Sequence, residues 1–164
     1  YEALEFRPDR LVKTVGAALT ICGRYLLKHK RTDEANDVLS KVLLMSKNYP
    51  ILVKEVVASY CQFEMLDKAE KASQALEKDQ EESDQSRLIN FYISVARTDS
   101  ASEALSLSIK LIDSGIKDER LYEIALQKAV ECGDTNRIEP IYSNAVSLWP
   151  ARKTHFEEIR AKAR

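Results

Sequence analysis

Hydrophobic positions recur with helical spacing in four consecutive stretches of the chain. One small or branched apolar residue marks the same place in each stretch, and these four anchors are 34, 35 and 34 residues apart. Apolar or small residues also stand 16, 13, 12 and 9 positions before each anchor and 3 and 7 positions after it. These spacings place one apolar stripe on each of two helices per stretch. The anchors are Ala35, Ala69, Ala104 and Ile138.

Polar residues two positions before each anchor favour a helix start at that point. Their side chains can accept a hydrogen bond from a free backbone N–H of the first turn. We therefore predict that the second helix of each stretch begins at its anchor. Asp9 is predicted to cap the first helix of the chain, and Cys22, in an apolar column, is predicted to be a small core residue. The four predicted caps are Asp33, Asp67, Ser102 and Asn136.

The predicted unit is a helical hairpin present four times. One hairpin cannot bury its apolar face alone, whereas stacked hairpins bury a continuous core. We therefore predict an all-α fold, a right-handed α-solenoid of helix-turn-helix repeats, with residues 1–164 as one domain. The repeats are predicted at about residues 10–50, 51–85, 86–120 and 121–150. Residues 151–164 are predicted to form a final helix, either the first helix of a further repeat or a capping helix.

Composition narrows the class of protein. The chain is 45% hydrophobic and 31% charged with four Gly and four Pro, which is typical of a soluble, helix-rich protein. Its net charge of −1 gives no general attraction to nucleic acid or anionic lipid. No apolar run approaches the roughly 18 residues that a transmembrane helix needs, so no membrane partner is expected. The chain starts with Tyr1 rather than Met, and we expect it to be a fragment of a longer protein.

The sequence lacks several common catalytic and phosphate-binding motifs. It contains no glycine-rich phosphate loop, no HExxH and no GxSxG. His29 and His155 have no Cys or carboxylate at metal-ligand spacing. Three Cys without a CxxC pair favour neither a zinc site nor a disulfide framework, and indicate a reducing compartment. We therefore expect a protein that is not an enzyme and uses no cofactor and no metal.

Residues 113–134, DSGIKDERLYEIALQKAVECGD, resemble the end and restart of a pentatricopeptide repeat. Gly115 and Gly133 stand where that family expects glycine, and Tyr122 matches its early aromatic position. Asp118 departs from the pattern, since the family usually has proline there. The degenerate, leucine-rich repeats are similar to those of leucine-rich pentatricopeptide proteins of animal mitochondria.

The tetratricopeptide repeat is the alternative, because the two motifs share nearly all apolar columns. Gly23 and Tyr60 suit its small and aromatic positions, and Pro150 suits its terminal proline. This resemblance implies a protein–protein interaction module without RNA binding, and a cytoplasmic location in place of a mitochondrial one.

The pentatricopeptide resemblance implies a role in organellar, specifically mitochondrial, RNA metabolism. In that family each repeat presents two side chains to one base of single-stranded RNA. Asn90 alone suits the family's preference for a small polar residue at the first position. Asn90 and Arg120 are therefore the predicted RNA-reading pair, although Arg120 departs from the Asp or Asn that the family favours at the second position. The other positions carried over from the family are Ile21 with Ile51, Glu55 with Gln85, and Ile124 with Thr154.

Phosphate contacts need cations, and the run KHKR is a concentrated source of them. Lys28 and Arg31 are therefore predicted to contact RNA, although cations at that place also stabilise the C-terminus of a helix. Residues 70–104 carry four basic and eight acidic residues, which repel phosphate. A protein partner suits this acidic stretch, while RNA binding would be carried by the longer parent protein.

Overall fold

The computed structural model describes residues 8–76 and 83–162, and every regular element within these ranges is helical. The prediction of an all-α fold is confirmed. A 3₁₀ turn, Pro150–Arg152, precedes the last helix. The α-helices are α1 (Pro8–Lys28), α2 (Thr32–Met45), α3 (Pro50–Gln62), α4 (Leu66–Ser73), α5 (Asp84–Arg97), α6 (Ala101–Asp113), α7 (Glu119–Glu131), α8 (Thr135–Leu148) and α9 (Lys153–Ala161).

Helix boundaries repeat with the same period as the anchors. The first helices of the four hairpins, α1, α3, α5 and α7, end at residues 28, 62, 97 and 131, again 34, 35 and 34 residues apart. Each second helix begins three residues before its anchor. α9 begins 34 residues after α7, which places it in the register of a first helix of a fifth hairpin.

The predicted N-caps are wrong by two residues. The four predicted residues are each the second residue of their helix, where a carboxylate still interacts favourably with the helix dipole. Of the residues at the actual cap positions, Ser100 accepts a hydrogen bond from the backbone N–H of Glu103 at 3.2 Å. Asp9 also lies inside a first turn, that of α1, and its carboxylate accepts a hydrogen bond from the Tyr49 hydroxyl at 2.7 Å.

Three of the four hairpin turns share one backbone geometry. The middle residue is left-handed in each: Lys30 at φ 60°, Glu64 at φ 58° and Gly133 at φ 66°. The next backbone N–H then donates to the carbonyl five residues earlier, at 2.9, 2.9 and 3.0 Å. This bond satisfies a carbonyl that the end of the helix would otherwise leave unpaired. It also fixes the start of the second helix without a side-chain cap.

Relieving the left-handed strain at these turns is expected to stabilise the protein. Lys30→Gly and Glu64→Gly should each raise the free energy of unfolding by about 0.5–1 kcal/mol, because a residue with a Cβ is strained there. Gly133→Ala should lower it by about 1 kcal/mol. Urea titrations followed by circular dichroism measure all three, and the same sign of change in all three variants would contradict the shared turn geometry.

The segment GIKDE, which carries the family resemblance, ends α6 and starts α7. Gly115 has φ 89°, a conformation that favours glycine, and follows the last residues of α6. Asp118 caps α7 by accepting a hydrogen bond from the Leu121 backbone N–H at 3.1 Å. Asp118 thus starts the helix at the position where the family usually has proline.

The described chain forms two compact units, the first of them Tyr1–Ala96. In the first unit α1 packs against α2 and α3, α2 against α3, and α3 against α4. A Cβ built on Gly23 would lie 2.6 Å from the Leu39 side chain, and one on Gly16 would lie 2.7 Å from Leu52. The two glycines therefore let α2 and α3 approach the backbone of α1. Fully buried members of this core include Ala35, Leu39, Val42, Val53, Val56, Val57 and Ala69.

The second unit is Arg97–Arg164. Here α6 packs against α7, α7 against α8 and α9, and α8 against α9. The Trp149 ring lies 5.3 Å from Tyr122 and 6.5 Å from Phe156, centroid to centroid. Fully buried members of this core include Ala125, Leu126, Ala129, Ala145 and Phe156.

The apolar columns predicted the buried residues well, and all four anchors are buried. The prediction that Cys22 is a core residue is wrong, because its side chain is exposed. The equivalent residues Val56 and Ala125 are fully buried on α3 and α7. The arrangement of the hairpins as one domain and as a right-handed solenoid stays a prediction, and the acidic run at 77–85 lies mostly outside the described residues.

Candidate binding surfaces

The two predicted base-reading residues lie in different environments. Asn90 is exposed on the middle of α5, in the first unit. Arg120 is the second residue of α7, in the second unit, and is half-buried. Asn90 is therefore available at the surface of its own unit, whereas the Arg120 side chain is partly enclosed within the other.

Glu55, the base-reading position of the second repeat, is occupied by contacts within the protein. Its carboxylate binds the Arg24 guanidinium of α1, and its Oε1 lies 2.8 Å from Lys54 Nζ. Arg24 Nε also donates to Ser59 Oγ at 2.8 Å, and that hydroxyl donates to the Glu55 carbonyl at 2.6 Å. Glu55 thus joins α3 to α1 instead of facing a ligand.

The electrostatics of this cluster favour the ionised carboxylate. Burial raises the pKa of Glu55. The charges and hydrogen bonds of Lys54 and Arg24 together lower it by more than burial raises it, so the pKa lies below its usual range. A carboxyl whose pKa is depressed in the folded state stabilises the protein above its unfolded pKa, and this stabilisation is lost as the pH falls through the folded pKa.

Glu55→Gln is expected to lower the free energy of unfolding by about 1–2 kcal/mol at pH 7. The difference from the unsubstituted protein should shrink as the pH falls below about 4, where unfolded glutamate becomes protonated. Urea titrations at several pH values measure it. Glu34→Gln removes an exposed partner of Arg31 and is the control, since exposed pairs are screened by solvent. Equal losses in the two variants would contradict a special role for Glu55.

The predicted phosphate-binding cations lie at the first hairpin turn. Lys28 is the last residue of α1 and is exposed. Arg31 is also exposed, but its Nε and Nη2 donate to the Glu34 carboxylate at 2.7 and 2.5 Å. The hydrogen bond to Glu34 raises the pKa of Arg31 and lowers that of Glu34. Because Glu34 neutralises its charge locally, Arg31 is a weaker candidate for a phosphate contact than Lys28.

The remaining base-reading positions are mostly unsuited to hydrogen bonding. Ile21 is 66% exposed and Ile51 is 43% exposed. Thr154 is exposed, while Ile124 and Gln85 are half-buried. Exposed isoleucine side chains can make apolar contacts but cannot read the edge of a base.

Sequence reasoning missed an exposed apolar surface on α1, which we name the open stripe. It consists of Leu11, Val15, Ala18, Cys22 and Tyr25, all exposed and spaced so that they share one face of the helix. Leu11 and Tyr25 are 52% and 58% exposed. The periodic columns included only Cys22 of these five residues, and the other four were not assigned to any surface.

Polar contacts join α7 to the 3₁₀ turn and to α9 within the second unit. Arg152 Nε lies 2.6 Å from Glu119 and its Nη2 lies 3.1 Å from Glu123. His155 Nε2 lies 2.7 Å from the same Glu123 oxygen. His155, one of the two histidines of the chain, is therefore part of the contact between α7 and α9.

Two features are absent from the part of the chain that the structure describes. No three His, Cys, Asp or Glu side chains among residues 8–76 and 83–162 are grouped so that they could hold a metal ion. No helix in these ranges is long and apolar enough to cross a membrane. Cys22, Cys61 and Cys132 are free thiols.

Comparisons with known proteins identify no family. No family model, curated protein or solved structure matches the chain. The pentatricopeptide and tetratricopeptide resemblances therefore rest on the residues of the repeats themselves.

Proposed function

We propose that this chain is a non-catalytic helical-repeat scaffold whose hairpins stack into a right-handed α-solenoid and present a surface for a macromolecular partner. The observation that carries the proposal is the recurrence of helix boundaries every 34 or 35 residues. A hairpin repeated with the same boundaries offers an extended, repeated surface instead of one enclosed pocket. Such surfaces suit chain-like partners.

A protein is the partner that the geometry supports best. Large apolar side chains are exposed on α1 and α2, among them Ile21, Tyr25 and Leu44. Glu55, by contrast, is engaged with Arg24 at a position where a base-reading residue would have to be accessible. Exposed apolar side chains favour a protein surface over a nucleic acid.

Single-stranded RNA is the second candidate, as expected for a pentatricopeptide protein of mitochondrial RNA metabolism. Two observations favour it. Asn90 is exposed at a base-reading position, and Lys28 is exposed at the same helix end as Tyr25 and His29, whose ring centroids lie 4.3 Å apart. In this candidate the cations supply most of the affinity and Asn90 reads one base.

An RNA titration separates the two candidates. Fluorescence anisotropy would measure binding of a mixed-sequence single strand of about 20 nucleotides at about 50 and 200 mM salt. RNA binding predicts that affinity falls with salt, that Lys28→Glu weakens binding several-fold, and that the control Lys47→Glu, also exposed, weakens it less. An absence of binding at low salt, or equal effects of the two variants, would contradict the RNA candidate.

The scaffold proposal as a whole is tested with the longest natural form of the protein. Cross-linking in cell extract, with and without nuclease, distinguishes direct protein partners from partners held through RNA. The protein candidate predicts a stoichiometric partner that survives nuclease treatment. A protein that cross-links to neither protein nor RNA would contradict the scaffold proposal.

A further inference from the structure

A polar cluster joins α1 to α3 beside the apolar contacts of these two helices. The Arg24 guanidinium binds the Glu55 carboxylate, and its Nε donates to Ser59 Oγ at 2.8 Å. We name Arg24, Glu55 and Ser59 the α1–α3 cluster. Ser59 is fully buried, whereas the side chains of Arg24 and Glu55 are 29% and 32% exposed. Solvent therefore screens the attraction between the two charges and limits its share of the stability.

The α1–α3 cluster is compatible with one register of α3 along α1. Leu52 of α3 lies against Gly16 of α1, where an added Cβ would come within 2.7 Å of the leucine side chain. Gly16 is eight residues before Arg24 on α1, and Leu52 is seven residues before Ser59 on α3. The two contacts are thus about two turns apart on both helices. A slip of α3 by one turn, about 5.4 Å, would move the carboxylate and the serine away from Arg24.

Apolar residues alone do not distinguish the first helices of the hairpins from one another. Thirteen positions before each anchor stand Val56 on α3, Phe91 on α5 and Ala125 on α7, and all three are buried. Repeats with similar apolar faces are prone to misassembly and to exchange between chains. Selection of the correct neighbour for α1 therefore needs a feature that differs between the repeats.

The α1–α3 cluster provides such a difference. At the two α3 positions of the cluster, α5 has Asn90 and Ser94, which keep hydrogen-bonding groups but lack the negative charge. At the same positions α7 has Ile124 and Lys128. Packing α7 on α1 in place of α3 would leave a partly buried guanidinium beside an apolar side chain and a second cation.

We propose that the α1–α3 cluster selects α3, in one register, as the first helix that packs against α1 in the first unit. The apolar columns supply most of the stability. The cluster disfavours other pairings, because they would separate Arg24 from its carboxylate partner. Lys54 supports this role, since its Nζ lies 2.8 Å from Glu55 Oε1 while Arg24 binds the other oxygen. The proposal concerns the assembly of the chain and does not depend on the partner of the scaffold.

Glycine amide signals in a proton–nitrogen NMR spectrum of the whole chain test the register. Gly16 lies against α3, whereas Gly133 lies in the second unit. Arg24→Met removes the charge but keeps a long, unbranched side chain, and it leaves Glu55 with Lys54 as a partner. We expect a folded variant with a second Gly16 signal of about 10% or more, while the Gly133 signal stays single. If the registers exchange within milliseconds, the Gly16 signal should broaden instead.

Exchange of helices between chains is measured on the same variants. After refolding at about 100 µM, Arg24→Met should contain several-fold more dimer than the unsubstituted protein, as measured by size-exclusion chromatography with light scattering. Arg10→Met is the matched control, because Arg10 is an exposed arginine of the same helix. It should change neither the Gly16 signal nor the dimer fraction. Arg24→Lys keeps the positive charge and should keep a single Gly16 signal.

Either change in Arg24→Met supports the proposal, because slippage and exchange are the two kinds of mispairing that the cluster would prevent. A single, sharp Gly16 signal with an unchanged dimer fraction would overturn it. Equal effects of Arg10→Met, or an equal splitting in Arg24→Lys, would also overturn it. Loss of the helical circular dichroism signal in Arg24→Met would contradict it as well, since the cluster would then be required for folding itself and not for the choice of neighbour.

Discussion

Leu39→Asp is expected to unfold the first unit, whereas Leu44→Asp, five residues further along the same helix, is expected to have little effect. Leu39 is fully buried and packs against the α1 backbone at Gly23. An aspartate there would bury an unpaired charge and remove an apolar contact, a loss of more than about 4 kcal/mol. Leu44 is 83% exposed, so the same substitution should change stability by less than about 0.5 kcal/mol.

Circular dichroism and urea titration measure this pair. The expected result is a loss of helical signal and of the cooperative transition in Leu39→Asp, with a near-normal transition in Leu44→Asp. Since the two variants share residue type, helix and added charge, burial is the main difference between them. Similar behaviour of the two variants would contradict the packing of α2 on α1.

Phe156→Ala is expected to destabilise the second unit by about 3–5 kcal/mol. The side chain is fully buried, although it lies on the last helix of the described chain. Its ring lies near Trp149, and α9 packs against both α7 and α8. Truncation to alanine would leave a cavity between three helices. The large loss of stability is expected if α9 packs as the first helix of a fifth hairpin does.

Trp149, the one tryptophan of the chain, gives a local signal for this measurement. Its fluorescence during urea titration should show the midpoint shifted to much lower urea in Phe156→Ala. Thr154→Ala, an exposed substitution two residues away on the same helix, should leave the midpoint nearly unchanged. A loss below about 1 kcal/mol in Phe156→Ala would indicate that α9 is only loosely attached.

The repeat period and the buried columns could be predicted from sequence, because the buried face of a helix requires apolar residues at helical spacing. The starts of the second helices were predicted three residues late. Aspartate is favourable both at an N-cap and inside the first turn, so Asp33 and Asp67 could not distinguish these positions. The turns at Lys30 and Glu64 carry no glycine, and their left-handed geometry therefore had no sequence signal.

Features that depend on neighbouring helices could not be predicted. Cys22 stands in an apolar column, but a column does not reveal whether another helix covers it. The pairing of Glu55 with Arg24, 31 residues earlier, is a tertiary contact without a local pattern, and it removes a carried-over base-reading residue. Of the predicted RNA contacts, Asn90, Lys28 and Arg31 lie exposed and Arg120 is half-buried, and their contact with RNA stays a prediction.

Backbone chemical shifts measured by NMR test the repeat most directly. They report helix and non-helix residue by residue in solution. The repeat predicts interruptions of helix at residues 29–31, 63–65, 98–100 and 132–134, each three residues long and 34 or 35 residues from the next. A helix that continues through any of these turns, or interruptions with unrelated spacing, would contradict a scaffold built from one repeated hairpin.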